Sequence, residues 1–204
     1  MGDRIRSAAF GSAAALMTVV ATQLFYVLVV ANAAPDTALR PATWLVEVAA
    51  FAFLAVAGLV VLARSTRHPF AWGAIAIGSV FNTLQSGIGL SMFGPATEAS
   101  DPQVMATILS GAFFFYFLGK VLYGLAATGI GLSLLRERGG TSRAIGAPAL
   151  LSGLAAVVLN ILAMSAGRDW LQWAGGAGTL ATAFLAIAIL VVALREADRR
   201  KPLP

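Results

Sequence analysis

The sequence predicts an all-α fold, a polytopic transmembrane helical bundle of about six spans with both termini on the same side. Three observations predict it. Of the 204 residues, 59% are hydrophobic and only 11% charged, where a soluble domain carries about a quarter charged residues. The mean hydropathy of the whole chain is +0.84, which a single buried core cannot produce and a lipid solvent can. The apolar residues also fall into runs near the length of about 20 residues that crosses a hydrocarbon core of about 30 Å. No run is left over for a separate soluble domain.

The runs are 8–31, 43–63, 70–93, 104–135, 147–166 and 170–194. The fourth is the longest and is expected to tilt or to continue past the bilayer as a stalk. Pro35 and Pro41 interrupt the first connection, and Arg67-His68-Pro69 makes a tight second one. Gly94-Pro95 is expected to end the third helix. Asp101-Pro102 starts the fourth as an N-cap followed by proline at the first helical position, and Gly139-Gly140 terminates it. Short connections make sequential helices antiparallel neighbours. Ala31-Asn32-Ala33 has the form of a signal-cleavage site. The run before it is about twice the length of a signal core and contains Thr22 and Gln23, so it is expected to stay as a span. No internal repeat is visible.

Orientation follows from the basic residues. Arg4, Arg6, Arg64, Arg67, Arg136, Arg138, Arg143, Arg195, Arg199, Arg200 and Lys201 fall on one side, against Arg40 and Arg168 on the other. The first side is therefore expected to be the cytoplasm of a bacterial cell with the chain in its inner membrane. Trp44, Trp170 and Trp173 fall at the outer edge and Trp72 at the inner, as an aromatic belt would.

Composition excludes several functions. There are no cysteines and one histidine, His68, in a short basic loop. That removes disulfides, thiolate and iron–sulfur sites, cysteine nucleophiles and histidine-rich metal or haem centres. The net charge of +5 is spread over short clusters between spans, with no basic face or aromatic platform for nucleic acid. Anionic headgroups of the lipid bilayer are the expected partner. The glycines at Gly124, Gly129 and Gly131 and in Gly175-Gly176-Ala177-Gly178 lie in or beside apolar helices, where they serve close packing rather than phosphate binding. No cofactor and no enzymatic activity are expected.

Polar residues at membrane depth turn inward because lipid cannot solvate them. On the third helix Ala74, Gly78, Asn82, Gln85, Ser86 and Gly89 share about 120° of its circumference. On the fourth, Tyr116, Lys120, Tyr123, Ala127 and Gly131 share about 80°. Lys120 lies near the middle of its helix. Its stem reaches about 6 Å, too short to bring the ammonium to either surface. A lysine there costs at least about 2.5–3.5 kcal/mol on insertion scales, so it must be paired, hydrated or neutral. Glu47 on the second helix is the expected ion-pair partner, with Asn82 and Gln85 as further hydrogen-bond acceptors. Gln23 and Asn160 lie at a similar depth. With Glu47, Asn82, Gln85 and Tyr116 they would outline a cavity open to the periplasm. Gly11, Ala15, Thr18, Thr22 and Tyr26 read as a packing seam.

The span order from Leu45 to Ile161, the basic loop after the second span, Phe117-Leu118-Gly119 with Gly124 and Gly131, and Leu150-Leu151-Ser152-Gly153 after a basic turn together resemble a bacterial family of six- to seven-span membrane proteins with no assigned function. That resemblance implies a fold and no chemistry. In size and span number the chain is also similar to the substrate-binding components of vitamin uptake transporters. Two functional expectations stand. One is a small-molecule binding or transport component using Lys120, Glu47, Asn82, Gln85 and Tyr116. The other is an accessory subunit of a larger membrane complex, with a membrane-protein partner and no ligand of its own.

Overall fold

The computed structural model describes residues 3–34, 37–137 and 139–198. Pro35, Arg138, Arg199, Arg200, Lys201 and the side chain of Arg168 lie outside that description. The described residues form an all-α bundle: α1 (Asp3–Leu28), α2 (Leu39–Arg64), α3 (Pro69–Glu98), α4 (Pro102–Arg136), α5 (Gly140–Ala166) and α6 (Leu171–Asp198), with short 3-10 turns at Val30–Asn32 and Arg168–Trp170.

Five of these helices are long and apolar enough to cross a membrane; α3 is the exception. Its polar stripe lowers its hydropathy, yet it covers the same depth as its neighbours. Gly58 of α2 meets Ala76 near one end of α3, and Gly89 meets the ring of Trp44 near the other. Phe81 stacks on Phe115, and Gly78 lies against Leu122 and Tyr123 of α4. Thus α3 runs antiparallel between α2 and α4, its polar face turned into the bundle.

Several boundary expectations hold in detail. Asp101 caps α4, its carboxylate accepting from the Gln103 N–H at 2.8 Å, with Pro102 at the first helical position. His68 takes a left-handed backbone (φ 54°) before Pro69 starts α3. Gly139 (φ 156°) separates α4 from α5.

Three boundaries differ. Pro41 lies in the first turn of α2 rather than in the connection, where its missing N–H has no helical partner to lose. Helix α3 runs through Gly94-Pro95 to Glu98. Pro95 there frees a carbonyl one turn earlier, at an exposed helix end where water can reach it. Helix α5 begins at Gly140 rather than 147 and carries Pro148 inside it.

The helices form a ring. Sequential helices pack on each other, α1 closes against α6, and α4 also touches α6. Leu16, Val19, Phe51, Leu54, Ile75, Tyr123, Ile130, Leu185 and Ile189 fill the centre from α1, α2, α3, α4 and α6, with Ala149 added from α5. Helix α5 is held chiefly on the outside of α4 by backbone contact. A Cβ on Gly153 would stand 2.6 Å from the Gly124 carbonyl oxygen, and one on Gly131 would stand 2.8 Å from that of Gly146. Gly124 and Gly131 on α4, like Gly146 and Gly153 on α5, sit seven residues apart. One antiparallel register therefore satisfies both contacts, as small-residue seams in lipid allow.

One end of the bundle gathers the basic loops. Glu137 after α4 receives Arg195 of α6 at 3.0 Å and Arg67 of the α2–α3 loop at 3.8 Å. Ser142 of α5 also bonds to Glu137 and to Arg195. The tryptophans divide. Trp170 and Trp173 are exposed, as an interfacial belt requires. Trp44 and Trp72 are buried and face their neighbouring helices. Trp44 packs on Gly89, edge-on to Phe93 and stacked on Tyr26.

Candidate functional site

Midway along the bundle, polar side chains from five helices meet. Lys120 on α4 is 0% exposed and lies between α1 and α6. Gly178 of α6 makes room for its stem, since a Cβ there would stand 2.9 Å from the Lys120 Cδ. The Lys120 ammonium donates to Gln23 Oε1 at 2.8 Å and sits 5.5 Å from the centre of the Tyr116 ring. Thr179 Oγ1 donates to the same Gln23 oxygen at 2.9 Å. Two donors, one a lysine, thus converge on one carbonyl oxygen.

Glu47 forms the second arm. It is 6% exposed. Thr22 donates to Oε1 at 3.2 Å and Ser86 to Oε2 at 3.3 Å. Gln85, half-buried, offers its Oε1 to the same Ser86 hydroxyl at 3.3 Å. Thr22 and Gln23 are neighbours on α1, so one turn of that helix joins both arms.

The expected Glu47–Lys120 ion pair is not made. Among the described residues the two groups share no contact within 4 Å; each is held by neutral partners, although they are near enough to feel each other's charge. The reason is the placement of α1: Gln23 projects to Lys120 while Thr22 takes Glu47. Asn82 and Gln85 do not reach the ammonium. Asn82 is fully buried, donates to the Gly78 carbonyl at 2.9 Å, and leaves Oδ1 without a partner. It packs against Gly119, where a Cβ would stand 2.7 Å from the Asn82 Cγ. Tyr123 turns away from Lys120 to bond Ser79 at 2.8 Å.

Asn160 is not part of this cluster. Its amide donates to Ala156 and, across the helix interface, to the Ala174 carbonyl at 3.2 Å, tying α5 to α6. The seam on α1 also splits: Gly11 meets Phe53 of α2, Thr22 serves Glu47, and Thr18 is exposed.

Thr179 was not among the residues singled out from sequence, and Gly178, read there as close packing, packs against the Lys120 stem. The signal for Thr179 is the spacing Gly175, Gly178, Thr179, Thr182, one narrow small-and-polar stripe on an otherwise apolar α6. Lys120 and Asn82 are fully buried, whereas Thr22, Gln23, Gln85 and Thr179 are partly exposed. Two cavities lie elsewhere: one of about 20 Å³ beside Arg67, His68 and Trp72, and one of about 190 Å³ between the ends of α4 and α5, lined by Phe113, Phe114, Phe117 and Met164. No group of three or more His, Cys, Asp or Glu that could hold a metal ion occurs among the described residues. Comparison with protein-family models, with curated proteins and with solved structures finds no match.

Proposed function

We propose that this multi-pass membrane protein binds a small organic anion at Lys120 and exchanges it with the outer side of a bacterial inner membrane, with both termini in the cytoplasm. The described conformation is the closed one. The observation that carries this reading is the convergence of Lys120 Nζ and Thr179 Oγ1 on one oxygen, with Glu47 held apart from the lysine. A lysine kept only for the fold would be expected to meet the nearby acid directly, because a buried charge gains most from its counter-charge. Here a neutral amide carbonyl stands where a carboxylate oxygen would bind more strongly. Gln23 is half-buried, and swinging it aside would present the ammonium and the Thr179 hydroxyl to a ligand. Intramembrane charges are functional by default for the same energetic reason. The orientation rests on the basic residues gathered at one end of the bundle.

The second reading, an accessory subunit whose polar cluster is only internal hydrogen-bonding, is favoured by the complete burial of Lys120 and Asn82. The two readings separate by labelling. The chain has no cysteine, so single variants can be made directly. Ser86→Cys and Thr179→Cys are each tested with a membrane-impermeant maleimide in right-side-out membranes, with the fully buried Ala126→Cys as control. A site that opens outward gives labelling at 86 and 179 and none at 126. Labelling of neither until the protein is denatured favours the accessory subunit.

A further inference from the structure

We propose that Glu47 is a proton-exchange site, so that the anion bound at Lys120 travels together with a proton. This rests on the reading of the cluster as one that opens to the outer side. Glu47 lies in α2 eight residues from Leu39 at the far end from the basic loops, roughly 12 Å of helix rise, and it retains slight exposure.

The hydrogen bonds around it can serve either protonation state. A carboxylate accepts up to about four hydrogen bonds. Glu47 has two donors, and each is a hydroxyl with a rival acceptor: Thr22 has the Val19 carbonyl at 3.0 Å, and Ser86 has Gln85 Oε1 at 3.3 Å. A hydroxyl has one hydrogen, free to rotate. With Glu47 ionised, both hydrogens turn to the carboxylate. With Glu47 protonated, they turn to Val19 and Gln85, and the carboxyl O–H donates to a hydroxyl oxygen instead. The heavy atoms need not move. The proton comes from water on the outer side, adds to a Glu47 oxygen, and returns to water on release.

Among the described residues, the ionisable groups around Glu47 are Lys120 and Tyr116 from α4. Tyr26 of α1 stacks on Trp44 further out. From α3, Glu47 meets the uncharged Ser86, which also bonds Gln85. An anion at Lys120 would therefore face one acid, and a proton on that acid removes the repulsion.

The test is infrared spectroscopy of the purified protein in lipid nanodiscs, titrated with acid and base alone, with circular dichroism to confirm the fold. A carboxylic C=O band that disappears reversibly as pH rises, is missing in Glu47→Gln and is shifted in Glu47→Asp is the expected result. The Asp variant keeps the assignment available if the Gln variant does not fold. A Glu47 band present at every pH, or at none, overturns the proposal. Cysteine labelling with a band that does not titrate defeats the proton site alone. A titrating band without labelling defeats the opening on which the pairing with an anion depends.

Discussion

Substituting Gly153 by alanine tests the α4–α5 seam. The added Cβ would stand 2.6 Å from the Gly124 carbonyl oxygen, 2.6 Å from Thr128 Oγ1 and 2.8 Å from the Thr128 nitrogen. Ordinary contact begins near 3.4 Å, so α4 and α5 must separate by about 0.8 Å. Two of the three obstructing atoms are backbone and cannot rotate away. Gly131 and Gly146 lie on the same seam, so the separation loosens their contact too. Overpacking of this kind costs about 1–3 kcal/mol, and backbone obstruction places the loss toward the upper end. The better helix propensity of alanine offsets up to about 1 kcal/mol. The net expectation is a loss of about 1–2 kcal/mol, or roughly 2–8 °C in Tm for a chain of this length. Gly129 is the control: nothing lies within 4 Å of its Cβ position, so Gly129→Ala should be neutral or stabilising. Thermal unfolding of both variants in detergent, followed by circular dichroism, measures the difference. Equal melting temperatures for Gly153→Ala and Gly129→Ala would refute backbone contact as the source of α5 docking.

Replacing Gln23 by leucine removes the acceptor shared by Lys120 and Thr179. A loss of about 1–3 kcal/mol is expected, read as a lower Tm and recovered in part by adding Lys120→Met; an unchanged Tm in Gln23→Leu would mean the lysine is satisfied elsewhere. Glu137→Gln should release Arg67 and Arg195 and cost at most about 1 kcal/mol, because the pairs are partly exposed. The gap from wild type should shrink at high salt, and a gap insensitive to salt would point to packing instead. Cysteines at Thr66 and Ser100, in the loops at opposite ends of α3, should label from opposite faces of intact membranes, Ser100→Cys from outside and Thr66→Cys from inside. The reverse pattern would invert the proposed orientation.

Turn chemistry was the most legible part of the fold. Asp101-Pro102 and Arg67-His68-Pro69 act through bonds within a few residues, so their outcome is local. Pro95 and Pro41 misled because a proline's effect depends on whether its turn is exposed or terminal, which is not local. The buried face was also readable: Asn82, Ser86, Lys120 and Glu47 all turn inward as lipid requires. Partner choice was not. Periodicity gives a residue's angle on its own helix but not the rotation of the next helix, and a few tens of degrees decide whether Lys120 meets Glu47 or Gln23. Thr179 escaped notice for a related reason, since a hydroxyl in a helix can satisfy itself on the preceding turn and does not call for a partner.

The ring closure has a consequence for biogenesis. Lys120 and Gln23 are 97 residues apart and Thr179 and Gln23 are 156 apart. Chains are made from the N-terminus, so α1 and α4 enter the bilayer while α6 is still being synthesised. Until then Lys120 has no Gly178 to shield its stem, and one side of it faces lipid or whatever assists insertion. The last helix to arrive is the one that seals the only lysine among the described residues away from hydrocarbon. A chain truncated before α6 should accordingly be recognised by quality-control proteases as an orphaned charge, even with every earlier helix in place.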